Sequence, residues 1–393
     1  MSAPETPIPD SDVVDLLSRL IAIPSVNPAF RQPGDPEHWF GEAKLAEFVA
    51  KWLRDIGLQV EVDEVSPGRP NVIGRLKGTG GGPRWLWEGH LDTVQVTGMA
   101  APFQPRLEGS RLHGRGAADD KGCLAAFMLA LRELADDPPA GDVTFLAAID
   151  EEYQFAGITH HLRRGEVYDL GIAGEPTQLS IVRACKGCVR WHIEVIGKPA
   201  HTSKPDEGVD AIALGARLLG RFEEEMQGRK QAHPLLGRPT LVCTGFEAGE
   251  GPNTVASRAL LRFDYRYLPA EDGMEVWRHF KKAAARFGTT MPRARFVVHE
   301  PFIDSSAMDV PEEAAIIAIW GAVCRESGVD PTPVGVPYGS DATKMTNVGI
   351  STLIFGPGSI EQAHACDEFV AVGEVTKAAR MLARAARAAP PVK

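Results

Sequence analysis

Two short runs, residues 143–149 and 170–173, are almost wholly apolar, and they constrain the fold more than anything else in the sequence. A strand with apolar side chains on both faces is buried on both, as in a parallel sheet covered by helices. Helical and strand patterns alternate around these runs. Leu45, Phe48, Val49, Trp52, Leu53 and Ile56 fall at helical spacing, and Gly57 is placed to end that helix. Leu58, Val60 and Val62 then alternate as in a strand. Residues 71–76 and 84–87 read as two strands joined by the glycine turn 78–82. Residues 122–135 read as a strongly apolar helix.

The middle of the chain has another order. Residues 189–195 read as a strand, 209–226 as a helix, 240–246 and 259–267 as strands, 271–287 as a helix and 294–298 as a strand. This β-α-β-β-α-β order is the split ferredoxin-like unit. The α/β pattern then returns, with a helix over 312–324, a strand over 352–355 and a helix over 372–388. The fold expected is an α/β domain, residues 1–186 plus 304–393, interrupted by a smaller α+β domain over 187–303. A length of 393 residues fits two or three domains.

Composition removes several function classes. The chain has 42 Lys and Arg against 52 Asp and Glu, a net charge of −10, which disfavours nonspecific nucleic-acid or anionic-membrane binding. No apolar run approaches the ~18 residues of a membrane span. The stretch 1–12 is Pro-rich and polar, without a secretory pattern. Six Cys do not make a disulfide framework at this length. The expectation is a globular cytoplasmic protein.

In open α/β sheets, ligand groups gather at the carboxyl ends of strands. Here each apolar strand is followed by His or carboxylate. Glu88-Gly89-His90-Leu91-Asp92-Thr93 follows the third strand, Asp150-Glu151-Glu152 follows 143–149 and Gly174-Glu175-Pro176 follows 170–173. His364 comes shortly after 352–355, and Asp119-Asp120 precedes the apolar helix. Singly, each has a bland reading: a turn, a helix cap or an acid at a helix N-terminus. Together, at one edge of one sheet, so many carboxylates repel unless cations neutralise them. Two His and several carboxylates suit zinc or a related divalent metal.

Rival motifs fail. His299-Glu300 lacks the second His of a metalloprotease helix, no Gly-x-Ser-x-Gly elbow occurs, and Asp119 stands where a dinucleotide loop needs Gly. Cys185 and Cys188 have no second Cys pair and read as ordinary packing. The pair His160-His161 reads as surface groups.

These motifs resemble those of the dinuclear-zinc aminoacylase and peptidase family, which includes acetylornithine deacetylase, succinyl-diaminopimelate desuccinylase, aminoacylase and glutamate carboxypeptidase. The resemblance rests on Gly89-His90-Leu91-Asp92-Thr93-Val94, Asp119-Asp120-Lys121-Gly122, Asp150-Glu151-Glu152, Gly174-Glu175-Pro176-Thr177 and Ala363-His364. Within the insert it adds Gly197-Lys198-Pro199-Ala200-His201 and Asp264-Tyr265-Arg266.

The resemblance implies two Zn2+ ions, with Co2+ or Mn2+ as alternatives, bridged by Asp119. His90 and Glu175 complete one site, Glu152 and His364 the other. It implies that Asp92 orients the His90 imidazole and that Glu151 is the general base. It implies a cis peptide after Asp119, and a lid and dimerisation domain whose His201 reaches a partner subunit's site in a homodimer. Arg266 and Asn253 would hold a substrate carboxylate, and Ser340, in Gly339-Ser340-Asp341, would line the pocket. The reaction implied is hydrolysis of an N-acyl amino acid, a small-molecule substrate with a free carboxylate. The alternatives are a dipeptidase or carboxypeptidase, or a non-catalytic binding relative.

The chain departs from the family pattern at three places. Asp120 stands where Met is common, and either faces solvent or tightens the metal field. Ala365-Cys366-Asp367-Glu368 replaces a Pro-containing segment, and Cys366 reads as a small buried residue. Val255-Ala256-Ser257 replaces a common Val-Pro-Asp.

Overall fold

A computed structural model describes residues 8–390. Residues 1–7, most of the stretch read as lacking a secretory pattern, lie outside the described residues. The chain divides into two compact units. The first ends at Arg183 and resumes over Val310–Val334 and from Ser340 onward. The second is Ala184–Asp309 with Gly335–Gly339.

The first unit is built on a mixed sheet. Its strands lie in the order Gln59–Ser66, Arg69–Leu76, Val143–Ala148, Trp85–His90, Leu170–Ala173, Ser351–Ile354. The last four run parallel, and the first two are antiparallel to their neighbours. Every residue of Trp85–His90, Val143–Ala148 and Leu170–Ala173 is buried, as double-faced apolar strands require. Trp87, Phe127 and Phe145 link the sheet to the apolar helix Lys121–Asp136, with ring centroids 5.8 and 5.6 Å apart. That helix packs with Asp10–Ala22 and Val372–Ala388. The helix Asp10–Ala22 is not among the elements read from the sequence. It buries Val13, Leu16, Leu17, Leu20 and Ile21 at helical spacing.

One expectation is corrected. The strands Arg69–Leu76 and Trp85–His90 do not form a hairpin, because Val143–Ala148 lies between them and pairs with both. The glycine segment makes this arrangement. Thr79 and Gly80 donate their N–H groups to the carbonyls of Pro139 and Ala140, both at 2.9 Å. A Cβ on Gly78 would sit 2.4 Å from the Gly141 carbonyl oxygen. The glycines admit the turn that leads into the intervening strand.

The second unit has an antiparallel sheet in the order Thr240–Ala248, Arg258–Tyr267, Gly187–Ile196, Arg295–Val298. Helices Ala211–Gly228 and Gly273–Thr289 pack on it. Asp210 and Asp272 cap them by accepting backbone N–H groups of the first turn. Trp191, Phe222, Phe263 and Phe280 fill the core between sheet and helices.

Candidate metal centre

Parallel strands place their carboxyl ends on one edge. His90 is the last residue of its strand, Asp150-Glu151-Glu152 follows Val143–Ala148, and Glu175 lies two positions beyond Leu170–Ala173. Two loops complete the constellation: the one ending at Asp119, and the one carrying His364 after Ser351–Ile354. Ligand-type atoms of His90, Glu151 and Glu175 lie within 4.8 Å of one another. So do those of Asp119, Glu152 and His364.

Asp119 joins the two groups. Its Oδ1 is 3.0 Å from His90 Nε2, and its Oδ2 is 3.5 Å from His364 Nε2. His364 Nε2 is also 3.3 Å from Glu152 Oε1. The peptide Asp119–Asp120 is cis. His364 has φ of 63° and Asp150 has φ of 67°, left-handed conformations that are uncommon outside glycine.

Nearby charges set the electrostatics. Burial draws the His90 imidazole down, but hydrogen bonds with Asp119 and Asp92 outweigh it and hold it well above its usual range. The Asp119 and Glu152 carboxylates push His364 up to about 10. Burial raises Glu151 and Glu175 well above the usual carboxylate range, and neighbouring acids add to this. Glu152 rises for the same reason. Buried carboxylates at this density need cations to stay ionised. Imidazole and carboxylate donors on two adjoining sets suit divalent transition-metal ions.

Asp92 meets the His90 ring on its Nδ1 side. The ring Nδ1 donates to the backbone carbonyl of Asp92 at 2.9 Å, and the Asp92 carboxylate lies farther off, at 3.6 Å. That carboxylate has further partners. It accepts the N–H groups of Glu151 at 3.0 Å and Glu152 at 3.2 Å, and the Asn27 amide at 2.8 Å. Asn27 also donates to Asp150 at 2.9 Å. Arg69 bonds the same Asp150 oxygen at 3.0 Å and pairs with the buried Glu42. Nothing in the sequence signals Asn27, Arg69 or Glu42, because each is an isolated polar residue far along the chain from its partner.

Asp120 is fully buried and does not face solvent. Its Oδ2 accepts the His90 N–H at 3.0 Å. Burial pushes this carboxyl up to about 7. A Cβ on Gly89 or Gly174 would come within 2.9 or 3.0 Å of that oxygen, so both motif glycines make room for it. Glu88 and Asp341 are also buried, with carboxylate oxygens that have no hydrogen-bond partner among the described residues. Ser340 is buried, and its Oγ accepts the Ala342 N–H at 3.2 Å.

The remaining expected site residues belong to the second unit. His201 and Asn253 are exposed and lie together, since the Thr202 N–H donates to the Asn253 carbonyl at 3.1 Å. The Ser203 N–H donates to His201 Nδ1 at 3.1 Å, which leaves the proton of a neutral ring on Nε2. Arg266, on Arg258–Tyr267, donates to Asp264 from Nε at 2.8 Å and Nη2 at 3.3 Å. Two further readings are corrected. His161 is buried, because Tyr168 pairs with its Nε2 at 2.9 Å. Cys366 is exposed, because its loop runs over the surface.

The profile of peptidase family M20/M25/M40 matches residues 86–388, most of the chain. The chain belongs to this family. It is therefore a metal-dependent hydrolase of amide bonds. An acetylornithine deacetylase from Vibrio campbellii is 30% identical over 364 residues, covering 89% of this chain and 93% of that protein. A tripeptidase structure from Staphylococcus aureus superposes with TM-score 0.81 at 21% identity, covering 97% of this chain and 99% of the other. A dinuclear metal-binding peptidase from Bacillus subtilis gives 0.70 at 17% identity, covering 96% and 97%. At these identities the two structures establish the shared fold. Among the described residues no helix is long and apolar enough to cross a membrane.

Proposed function

We propose that the protein removes the acyl group from an N-acyl amino acid, as a deacylase holding two zinc ions. The observation that carries this reading is Asp119, whose two carboxylate oxygens face the imidazoles of separate ligand groups. Asp119 would bridge the ions, His90 and Glu175 would complete one site, and Glu152 and His364 the other. Cobalt or manganese could replace zinc in a donor set of this kind. When bound, the ions would supply the positive charge that lowers the pKa of the attacking water toward neutrality.

The chain's own residues do the rest. Glu151 stands beside His90 and Glu175, and Asp119, which faces both groups, would take the third ligand place in that set. As general base Glu151 accepts the proton of the attacking water and passes it to the departing amine. Asp92 fixes this base through the Glu151 backbone. His201, with its proton on Nε2, is set to donate to the carbonyl oxygen as charge develops there. His201 lies on the second unit, which would serve as a lid and dimerisation domain, with His201 acting across a homodimer. Arg266 has one guanidinium edge held by Asp264 and the other left for a substrate carboxylate, a task shared with Asn253. Ser340 fixes the backbone that lines the pocket. Among the described residues no cysteine forms a disulfide, which suits a cytoplasmic enzyme.

The test is amine release from N-acetylornithine and other N-acyl amino acids, set beside dipeptides of the same residues. The reading expects faster release from the N-acyl amino acids. Preference for dipeptides would assign the protein to the peptidases of the family instead.

A further inference from the structure

His90, Glu152 and Glu175 leave strand ends that the sheet itself holds in place. Asp119 and His364 do not. They lie on loops, and a loop needs another anchor to keep a ligand on aim. One fully buried carboxylate meets this need for both loops.

Glu368 lies four residues beyond His364 and is fully buried. Its Oε1 accepts the N–H groups of Ala118 at 2.9 Å and Asp119 at 3.0 Å. Its Oε2 accepts the N–H of Gly116 at 2.8 Å and Arg115 Nη1 at 2.7 Å. The Gly114 N–H reaches the Glu368 backbone carbonyl at 3.1 Å. Five donors from residues 114–119 therefore converge on one residue. Gly114 and Gly116, with φ of 151° and 83°, let the loop curl around it. Glu368 also leads into the strand Phe369–Ala371, which pairs with Arg111–His113 just before the same loop.

We propose that Glu368 is a positioning residue for the metal held by Asp119, Glu152 and His364. It fixes the Asp119 backbone directly, and it pins the far end of the His364 loop to the same point. The proposal rests on the two-metal reading above. It assigns to the acid of the segment 365–368 a role that the ligand set leaves out. Residues that orient metal ligands through hydrogen bonds typically change metal affinity by roughly 10–100-fold when altered. Glu368→Gln keeps the shape but loses the charge opposite Arg115 and one acceptor oxygen, because an amide NH2 cannot accept from an N–H.

The experiment is calorimetric titration of Zn2+ into chelator-treated protein, with thermal melting of the metal-free form run alongside. Wild type is expected to bind two equivalents. In Glu368→Gln, one equivalent is expected to lose about 10–100-fold in affinity while the other changes much less. A role confined to folding would lower the melting point without separating the two binding steps. Two equivalents bound with wild-type affinities by the folded variant would refute the positioning role and leave the two-metal reading standing. A wild-type protein that takes up one equivalent would refute that reading and the proposal with it. If the Gln variant does not fold, Glu368→Asp carries the same test, since it keeps the charge but withdraws the carboxylate by one methylene.

Discussion

The Asp92 carboxylate accepts the backbone N–H of Glu151 at 3.0 Å. A residue two positions beyond His90 thereby sets the direction of the chain that carries the proposed base. The other Asp92 oxygen takes the Glu152 N–H at 3.2 Å and the Asn27 amide at 2.8 Å. The turn of three acids after Val143–Ala148 is shaped by its neighbour strand and held there from Asn27.

Asn27→Ala tests that arrangement. It removes a donor from two buried carboxylates, Asp92 and Asp150. Both carboxylates keep other donors, so the loss is that of hydrogen bonds to charged groups, about 1.5–3 kcal/mol. The expected outcome is a loss of that size in denaturant unfolding, together with a fall in kcat from a displaced Glu151. Wild-type stability and wild-type kcat would show that the Asn27 bonds are idle.

Much of the candidate site is readable in the sequence because its residues follow strands that announce themselves by unbroken apolar character. His90, the 150–152 turn and Glu175 come straight from that pattern. The supports do not. Asn27 lies 65 residues from Asp92 and 123 from Asp150, and a lone Asn carries no periodicity to betray it. The buried His161 looks polar in sequence, and its core environment comes from Tyr168 across a loop. The false hairpin at 71–87 has a similar cause. A glycine run marks a turn, but not the strand that inserts beside it.

His161 makes one pH dependence calculable. Burial pushes its imidazole from 6.5 down to about 4, against the pull of the Glu166 carboxylate. The folded state thus resists a proton that the unfolded chain accepts near pH 6.5. The contribution is fully present above that pH and is lost as pH falls toward 4. A shift of this size corresponds to roughly 3 kcal/mol. Stability measured from pH 7 to 4.5 is expected to fall more steeply for wild type than for His161→Gln. Parallel curves would contradict the neutral buried imidazole.

Metal removal should destabilise the fold. Glu151, Glu152 and Glu175 crowd together with Asp119, and burial raises the first three toward protonation. Ions that bind only the folded state stabilise it, by about 2.7 kcal/mol at a hundredfold excess over Kd. Chelated protein is expected to melt several degrees lower and to recover with added zinc. A melting point indifferent to metal would count against a filled site.

Arg266→Met should act on substrate binding. Hydrogen bonds to a charged partner contribute about 1.5–3 kcal/mol, so KM is expected to rise roughly 10–100-fold with kcat little changed. A fall in kcat at constant KM would mean that this guanidinium acts on the transition state instead.

The most direct measurement pairs metal content with turnover in Glu151→Gln. The protein is stripped with chelator, reloaded with zinc, analysed for bound metal and assayed for amine release. The account predicts two bound ions in both proteins and turnover lower by about 10²–10⁴-fold in the variant. A variant that keeps wild-type turnover, or that loses its metal along with its activity, would contradict Glu151 as the base and return it to the ligand set.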